Sequence, residues 1–238
     1  MKSIKQIFSS LLDRTFATRV CSFKNIVGHK DAKDVLTMAI QADKACHILL
    51  KGPFGIGKTE MMLEVLNYVG KANSHFAIGS RISKAGLGDL LLKNKNLEYL
   101  FIDEMETMTR KDQTVLLSVM QHGIISETLY GKIRETKVNV RVIASSNDTR
   151  KIDRALLTRF LVCHMDTYTE DEFIAIALEK CKTENITQDI AEDVARLLYN
   201  QVSEPTPRDV IKIVRLSKGD EDKIRKLIGI MGKKEARK

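Results

Sequence analysis

The chain has no tryptophan, and aromatics of all kinds make up only 5% of its 238 residues. Its core must therefore be filled mostly by Leu, Ile, Val and Met. Four cysteines, Cys21, Cys46, Cys163 and Cys181, lie far apart and form no C-x-x-C pair. That argues against a zinc site and for reduced thiols. No apolar run approaches the roughly 18 residues that cross a bilayer. The first residues lack the apolar stretch of a secretory signal. A cytoplasmic protein with no membrane partner is expected. Internal repeats and low-complexity tracts are also missing.

What is present supports a sizeable core. Hydrophobic residues make up 43% of the chain, enough for one large domain or two small ones. The formal net charge is +8 and the isoelectric point about 9.2. That balance suits an acidic partner such as nucleic acid, and it suits plain solubility as well.

The most informative stretch is Gly52-Pro53-Phe54-Gly55-Ile56-Gly57-Lys58-Thr59, which reads G-x-x-x-x-G-K-T. An apolar run, Ile48-Leu49-Leu50, enters it, and a helical pattern from Glu60 to Leu66 leaves it. Strand, glycine loop and helix are the context in which this pattern cradles phosphate. Glycines let the backbone fold tightly, so that several N–H groups point inward. The helix N-terminus adds partial positive charge. Lys58 can reach the β- and γ-phosphates, and the Thr59 hydroxyl can ligate Mg²⁺. Glu60 follows directly and is counted with the loop as nucleotide-binding.

Tyr99-Leu100-Phe101-Ile102-Asp103-Glu104 is an apolar run ending in two acids. It reads as a buried strand of a parallel sheet, whose carboxyl end is where ligands bind. Asp103 can hold the Mg²⁺ hydration shell, and Glu104 can polarise an attacking water. Two acids there could instead cap the next helix. A further strand, Val140–Ala144, brings Asn147 to a carboxyl end. Strands are also expected over Cys46–Lys51, His75–Gly79 and Leu161–His164, and helices over Gly88–Lys93 and Arg110–His122. Residues 124–138 look like a β-hairpin turning at Tyr130-Gly131-Lys132. It carries Lys132, Arg134 and Lys137, which fit either a phosphate-gripping pore loop or a solvated edge.

Beyond Asp166 the pattern is helical only. Thr169 opens a helix to Lys182 with a capping box, and Thr187–Val202 forms a second. Thr206-Pro207-Arg208-Asp209 starts a third, with Thr as N-cap and Pro at the first helical position. The fold class expected is α/β: a P-loop core with a five-stranded parallel sheet plus a small all-α lid. The divisions are an N-terminal helix over 1–22, the core over 23–166, the lid over 167–217 and a basic tail over 218–238, read as a solvated terminal helix with one apolar patch at Leu227–Met231. In the first, Ile4, Ile7, Phe8, Leu11 and Leu12 share a face.

These pieces, in this order, resemble the AAA+ ATPases from about Phe23 to Ser217. Ile26-Val27-Gly28-His29 resembles the adenine-side box, usually written with Gly-Gln, so Ile26 and Val27 are candidate nucleotide contacts. Residues 47–59 are similar to Walker A, with Phe54 where a second proline is common. Leu100–Glu104 resembles Walker B, and Asn147 matches sensor 1. Leu156-Leu157-Thr158-Arg159-Phe160 resembles the box that carries the arginine finger, and Pro207-Arg208-Asp209 falls at sensor 2. The resemblance implies ATP and Mg²⁺ as ligands. It implies Lys58, Glu104, Asn147, Arg159 and Arg208 as catalytic residues, and a homo-oligomer in a hexameric ring. Arg154 is a rival finger, and a salt bridge to a local acid is the alternative for Arg159.

Within the family, Gly88-Asp89-Leu90 is similar to the RuvB branch, which migrates Holliday junctions. Met120–Ser126 is similar to the helix-to-hairpin passage of MCM and MoxR proteins. As a whole the chain resembles stand-alone archaeal or viral RuvB-like members. DNA remodelling by a helicase or translocase is the function implied, with an accessory protein as a further partner. The alternative is a MoxR-like ATPase that remodels protein complexes. A small-molecule kinase would need an acceptor site and no arginine finger.

Overall fold

The computed structural model describes residues 21–94, 96–129, 132–182 and 187–235, and the side chains of all these except 126–129, 132–134 and 233–235. The helix expected over 1–22 falls almost wholly outside them.

Five parallel strands form the central sheet: β1 (Ile48–Lys51), β2 (Ser74–Ile78), β3 (Tyr99–Asp103), β6 (Arg141–Ser146) and β7 (Leu161–His164), in the order β2-β3-β6-β1-β7. This is the five-stranded parallel sheet expected. Both faces are covered, which is why its strands read as unbroken apolar runs. Successive side chains point to opposite faces. Ile48, Leu50, Tyr99, Phe101 and Ile143 enter one core with α1 (Lys30–Gln41) and α2 (Lys58–Val69). Leu49, Leu100, Ile102, Val142 and Ala144 enter the other. The helices there are α3 (Lys84–Lys93) and α4 (Arg110–His122).

Register places the chemistry at one edge. Lys51 lies opposite Ser146, and Ile102 opposite Ala144. The residues that follow β1, β3 and β6 therefore emerge side by side at the carboxyl ends. The hairpin is present as a separate ribbon: β4 (Ile124–Leu129) pairs antiparallel with β5 (Lys132–Lys137), Leu129 opposite Lys132. Residues 130 and 131 of its expected turn lie outside those described. A short helix, α5 (Arg154–Leu157), precedes β7.

The helical part comprises α6 (Glu170–Lys182), α7 (Gln188–Gln201), α8 (Pro207–Ser217) and α9 (Glu221–Glu235). The capping box at α6 closes as expected: Thr169 N donates to Glu172 Oε2 at 3.0 Å, and Glu172 N to Thr169 Oγ1 at 3.3 Å. Thr206 and Asp209 make the same reciprocal pair at α8, with Pro207 in the first turn.

The basic segment 218–238, read as a solvated terminal helix, forms α9 over most of its length, and α9 packs one face into the core. Ile224 and Ile228 are buried in the same core as Val194, Leu198 and Ile213. Ile224, Leu227, Ile228 and Met231 recur at helical spacing, a seam masked by the surrounding lysines. Ile228→Ala is expected to lower unfolding stability by about 2–5 kcal/mol in urea titrations. A solvated tail would lose less than about 0.5 kcal/mol.

Candidate functional site

The loop after β1 is shaped by two glycines with left-handed backbones, Gly55 (φ 77°) and Gly57 (φ 85°). Side chains at either position would be strained and crowded. A Cβ on Gly55 would lie 2.7 Å from Thr206 Cγ2, and one on Gly57 2.7 Å from the Tyr168 hydroxyl. The helical part thus closes directly on the loop. Gly57 is also the N-cap of α2, whose first amides and dipole face the loop. Phe54 stands 72% exposed at its tip.

Lys58 is only 7% exposed. Its ammonium has three donors, and all three are used. Nζ donates to Gly52 O at 2.8 Å, to Pro53 O, and to Asn147 Oδ1 at 2.8 Å. Burial pulls its pKa below the usual lysine value, opposed by the charges of Glu106, Asp103 and Glu60. A desolvated cation beside a ring of backbone amides is what a polyphosphate needs to offset its charge.

Thr59 Oγ1 donates to Asp103 Oδ2 at 2.8 Å. Asp103 Oδ1 accepts from Ser145 Oγ and from Glu104 N. A hydroxyl and a carboxylate side by side are the hard oxygen donors that Mg²⁺ prefers. Glu104 is exposed and sits in the left-handed region (φ 52°, ψ 49°). That conformation costs about 1–3 kcal/mol for a residue with a side chain. It is held by the hydrogen bonds of Glu104 N to Asp103 and Ser145, and by Thr107 Oγ1 donating to Glu104 O at 2.7 Å. The capping alternative fails for both acids. Thr109 caps α4, and no side chain caps the short 3₁₀ turn Met105–Thr107.

Asn147 follows β6. Its main-chain N and its Nδ2 both donate to Glu106 Oε1, at 3.1 and 2.6 Å. Glu106 is the site residue that sequence reasoning missed. The signal was the third acid in Asp103-Glu104-Met105-Glu106. His29 was noted only as a departure from the usual glutamine. It donates through Nε2 to Ile56 O at 2.9 Å and lies 4.9 Å from the Tyr168 ring. Burial holds its pKa below the usual histidine value, more strongly than the Ile56 carbonyl raises it. His29 thereby ties the adenine-side segment to the loop. Ile26 and Val27 line a narrow cleft of about 40 Å³ with Gly57, Tyr168 and Ile176.

The arginines fall in two places. Arg208, 64% exposed, donates to Glu60 Oε1 at 3.0 Å, over the first turn of α2. Lys180 Nζ is 4.0 Å from the same oxygen. Arg159 and Arg154 are exposed, and Arg159 stands just before β7, whose first residue pairs with Ile48 at the amino end of the sheet. Among the described residues, neither side chain has a hydrogen bond or ion pair, so the local salt bridge considered for Arg159 is not formed.

Residues 18–164 match the family model of the Holliday junction DNA helicase RuvB P-loop domain. The chain belongs to the RuvB P-loop family. The RuvB subunit of the Holliday junction branch migration complex from Fervidobacterium nodosum is 29% identical over 216 residues, covering 84% of this chain and 60% of that protein. Its counterpart from Thermosipho melanesiensis is 30% identical over 204 residues, covering 79% and 63%. This RuvB-family chain thus spans about three-fifths of the length of those relatives. It shares its fold with the RuvB Holliday junction branch migration motor of Thermotoga maritima. The TM-score is 0.63 at 21% identity, over 86% of this chain and 70% of that one. No described helix of this RuvB-family chain is long and apolar enough to cross a membrane.

Proposed function

We propose that the chain binds and hydrolyses ATP with Mg²⁺, assembles into a homo-oligomeric, hexameric ring, and couples turnover to remodelling of branched DNA in the cytoplasm. The observation that carries the chemistry is the convergence of Lys58, the Thr59–Asp103 pair, Glu104 and Asn147 at one edge of the sheet.

Transfer of a phosphoryl group to water needs charge neutralised on the γ-phosphate and a water held in line. The amides of residues 55–59 and Lys58 bind the phosphates. Thr59 and Asp103 would hold Mg²⁺, which when bound would neutralise charge on phosphate oxygens. Glu104, exposed at the site's mouth, accepts the proton of the attacking water, and Asn147 orients that water. Arg208 swings from Glu60 to the γ-phosphate when nucleotide binds. Arg159, exposed and without a described partner, serves a neighbour's site. Ile26 and Val27 take the adenine.

The DNA half rests on the family match, the names of the relatives and the charge of +8. Lys137 is exposed on the hairpin, and Lys132 and Arg134 share its strand. An accessory protein that recognises the junction would complete such a motor. The test is the steady-state ATPase rate with four-way junction, duplex and single-stranded DNA. A severalfold rise with junction DNA that fades with added salt is expected. A rate indifferent to every DNA overturns the DNA half, and no turnover under any condition overturns the whole.

A further inference from the structure

Glu106 lies in the 3₁₀ turn after β3, one residue beyond Met105 and behind the paired acids Asp103 and Glu104 in sequence. Its Oε1 accepts two hydrogen bonds from one residue, Asn147. Its Oε2 is buried and has no hydrogen-bond partner among the described residues. A carboxylate oxygen left unpartnered away from water is destabilising. It persists here because the other oxygen fixes something.

What it fixes is the direction of the Asn147 amide. One end of that amide faces the Glu106 carboxylate, and the other faces the Lys58 ammonium. Only the NH₂ end can meet an acceptor, and only the carbonyl end can meet a cation that is all donor. Reversing the amide would set oxygen against carboxylate and NH₂ against ammonium. The two charges therefore lock one orientation. In that orientation Asn147 supplies the third acceptor of Lys58, after Gly52 O and Pro53 O. The ammonium then has no donor left.

The geometry points to Glu106 as a positioning residue. Acting through Asn147, it holds Lys58 in a parked arrangement that an incoming phosphate must break, and breaking it frees the Asn147 carbonyl. This rests on the ATP-hydrolysis reading above and adds a coupling to it. Phosphate arrival at Lys58 and release of Asn147 become one event, so the amide that orients water is reset only when nucleotide is in place.

E106Q keeps an acceptor at the same position and removes the charge. ATP binding is expected to tighten about three- to tenfold, the worth of one hydrogen bond, because Lys58 is released more readily. Turnover at saturating ATP is expected to fall at least tenfold, because a neutral Gln side chain carries a donor as well as an acceptor and no longer enforces one amide orientation. A merely structural role would move affinity and turnover down together, with a lower melting temperature. In an Asn147→Ala background the E106Q change is expected to have no further effect on either quantity. An undiminished effect there means that the Glu106 charge acts on Lys58 or on nucleotide directly, not through Asn147, and overturns the proposal.

A second readout needs no ATP. In the nucleotide-free protein the Asn147 side-chain amide resonance shifts on E106Q. An unchanged resonance overturns the placement, whatever ATP does. A shifted resonance in a chain that binds no ATP supports the Glu106–Asn147 placement and overturns both the hydrolysis reading and the coupling that rests on it.

Discussion

Lys58→Ala cuts ATP turnover by roughly 10²–10³-fold or more, measured as phosphate release at saturating ATP. The expectation follows from where the ammonium sits. It is the one cation buried within the loop, 7% exposed, with three hydrogen bonds converging on it. Removing it takes away the positive charge facing the phosphates and leaves Gly52 O, Pro53 O and Asn147 Oδ1 without that donor. The fold should survive, because the glycine backbone and both cores are untouched. Thermal melting by circular dichroism separates a lost charge from a lost fold, and Lys58→Met, which keeps the apolar stem, provides a second check. Wild-type turnover in either variant would remove Lys58 from the chemistry and the proposed activity with it.

Arg159→Ala is expected to act on a different molecule from the one that carries it. In the assembled protein, turnover should fall by about 10³–10⁵-fold, the range for an arginine that stabilises charge on a transferring phosphoryl group. ATP binding by a single subunit should be nearly unchanged, because Arg159 is exposed and stands just before β7 at the amino end of the sheet. Mixing supplies the decisive comparison. An Arg159→Ala subunit has an intact P-loop, and a Lys58→Ala subunit has an intact arginine, so the two inactive proteins together should recover part of the activity. Recovery from Arg154→Ala mixtures but not from Arg159→Ala mixtures would transfer the role to Arg154. No recovery from either would show that neither arginine works across a subunit boundary.

Much of the architecture was legible before any coordinates, for a physical reason. Buried parallel strands must be apolar on both faces, so Ile48-Leu49-Leu50 and Tyr99-Leu100-Phe101-Ile102 announced themselves as runs. Helix starts carry local chemistry, so Thr169 with Glu172 and Thr206 with Asp209 marked their own caps. The P-loop is a pattern of backbone freedom, and freedom is a property of single residues. α9 was harder, since its apolar seam is four residues wide among lysines, and spacing alone does not say whether a seam finds a core.

The site divides along the same line. Glycine, lysine, threonine and the paired acids could be named from order and spacing, because each reports on its immediate neighbours along the chain. Pairings over long separations could not. Glu106 meets Asn147 across 41 positions, Lys58 meets Asn147 across 89, and Arg208 meets Glu60 across 148. Those meetings depend on which strands lie side by side and in what register, and on where the helical part folds back over the loop. Linear periodicity carries no information about either. Residue types set what each group can do; the packing of distant segments chose which groups do it together.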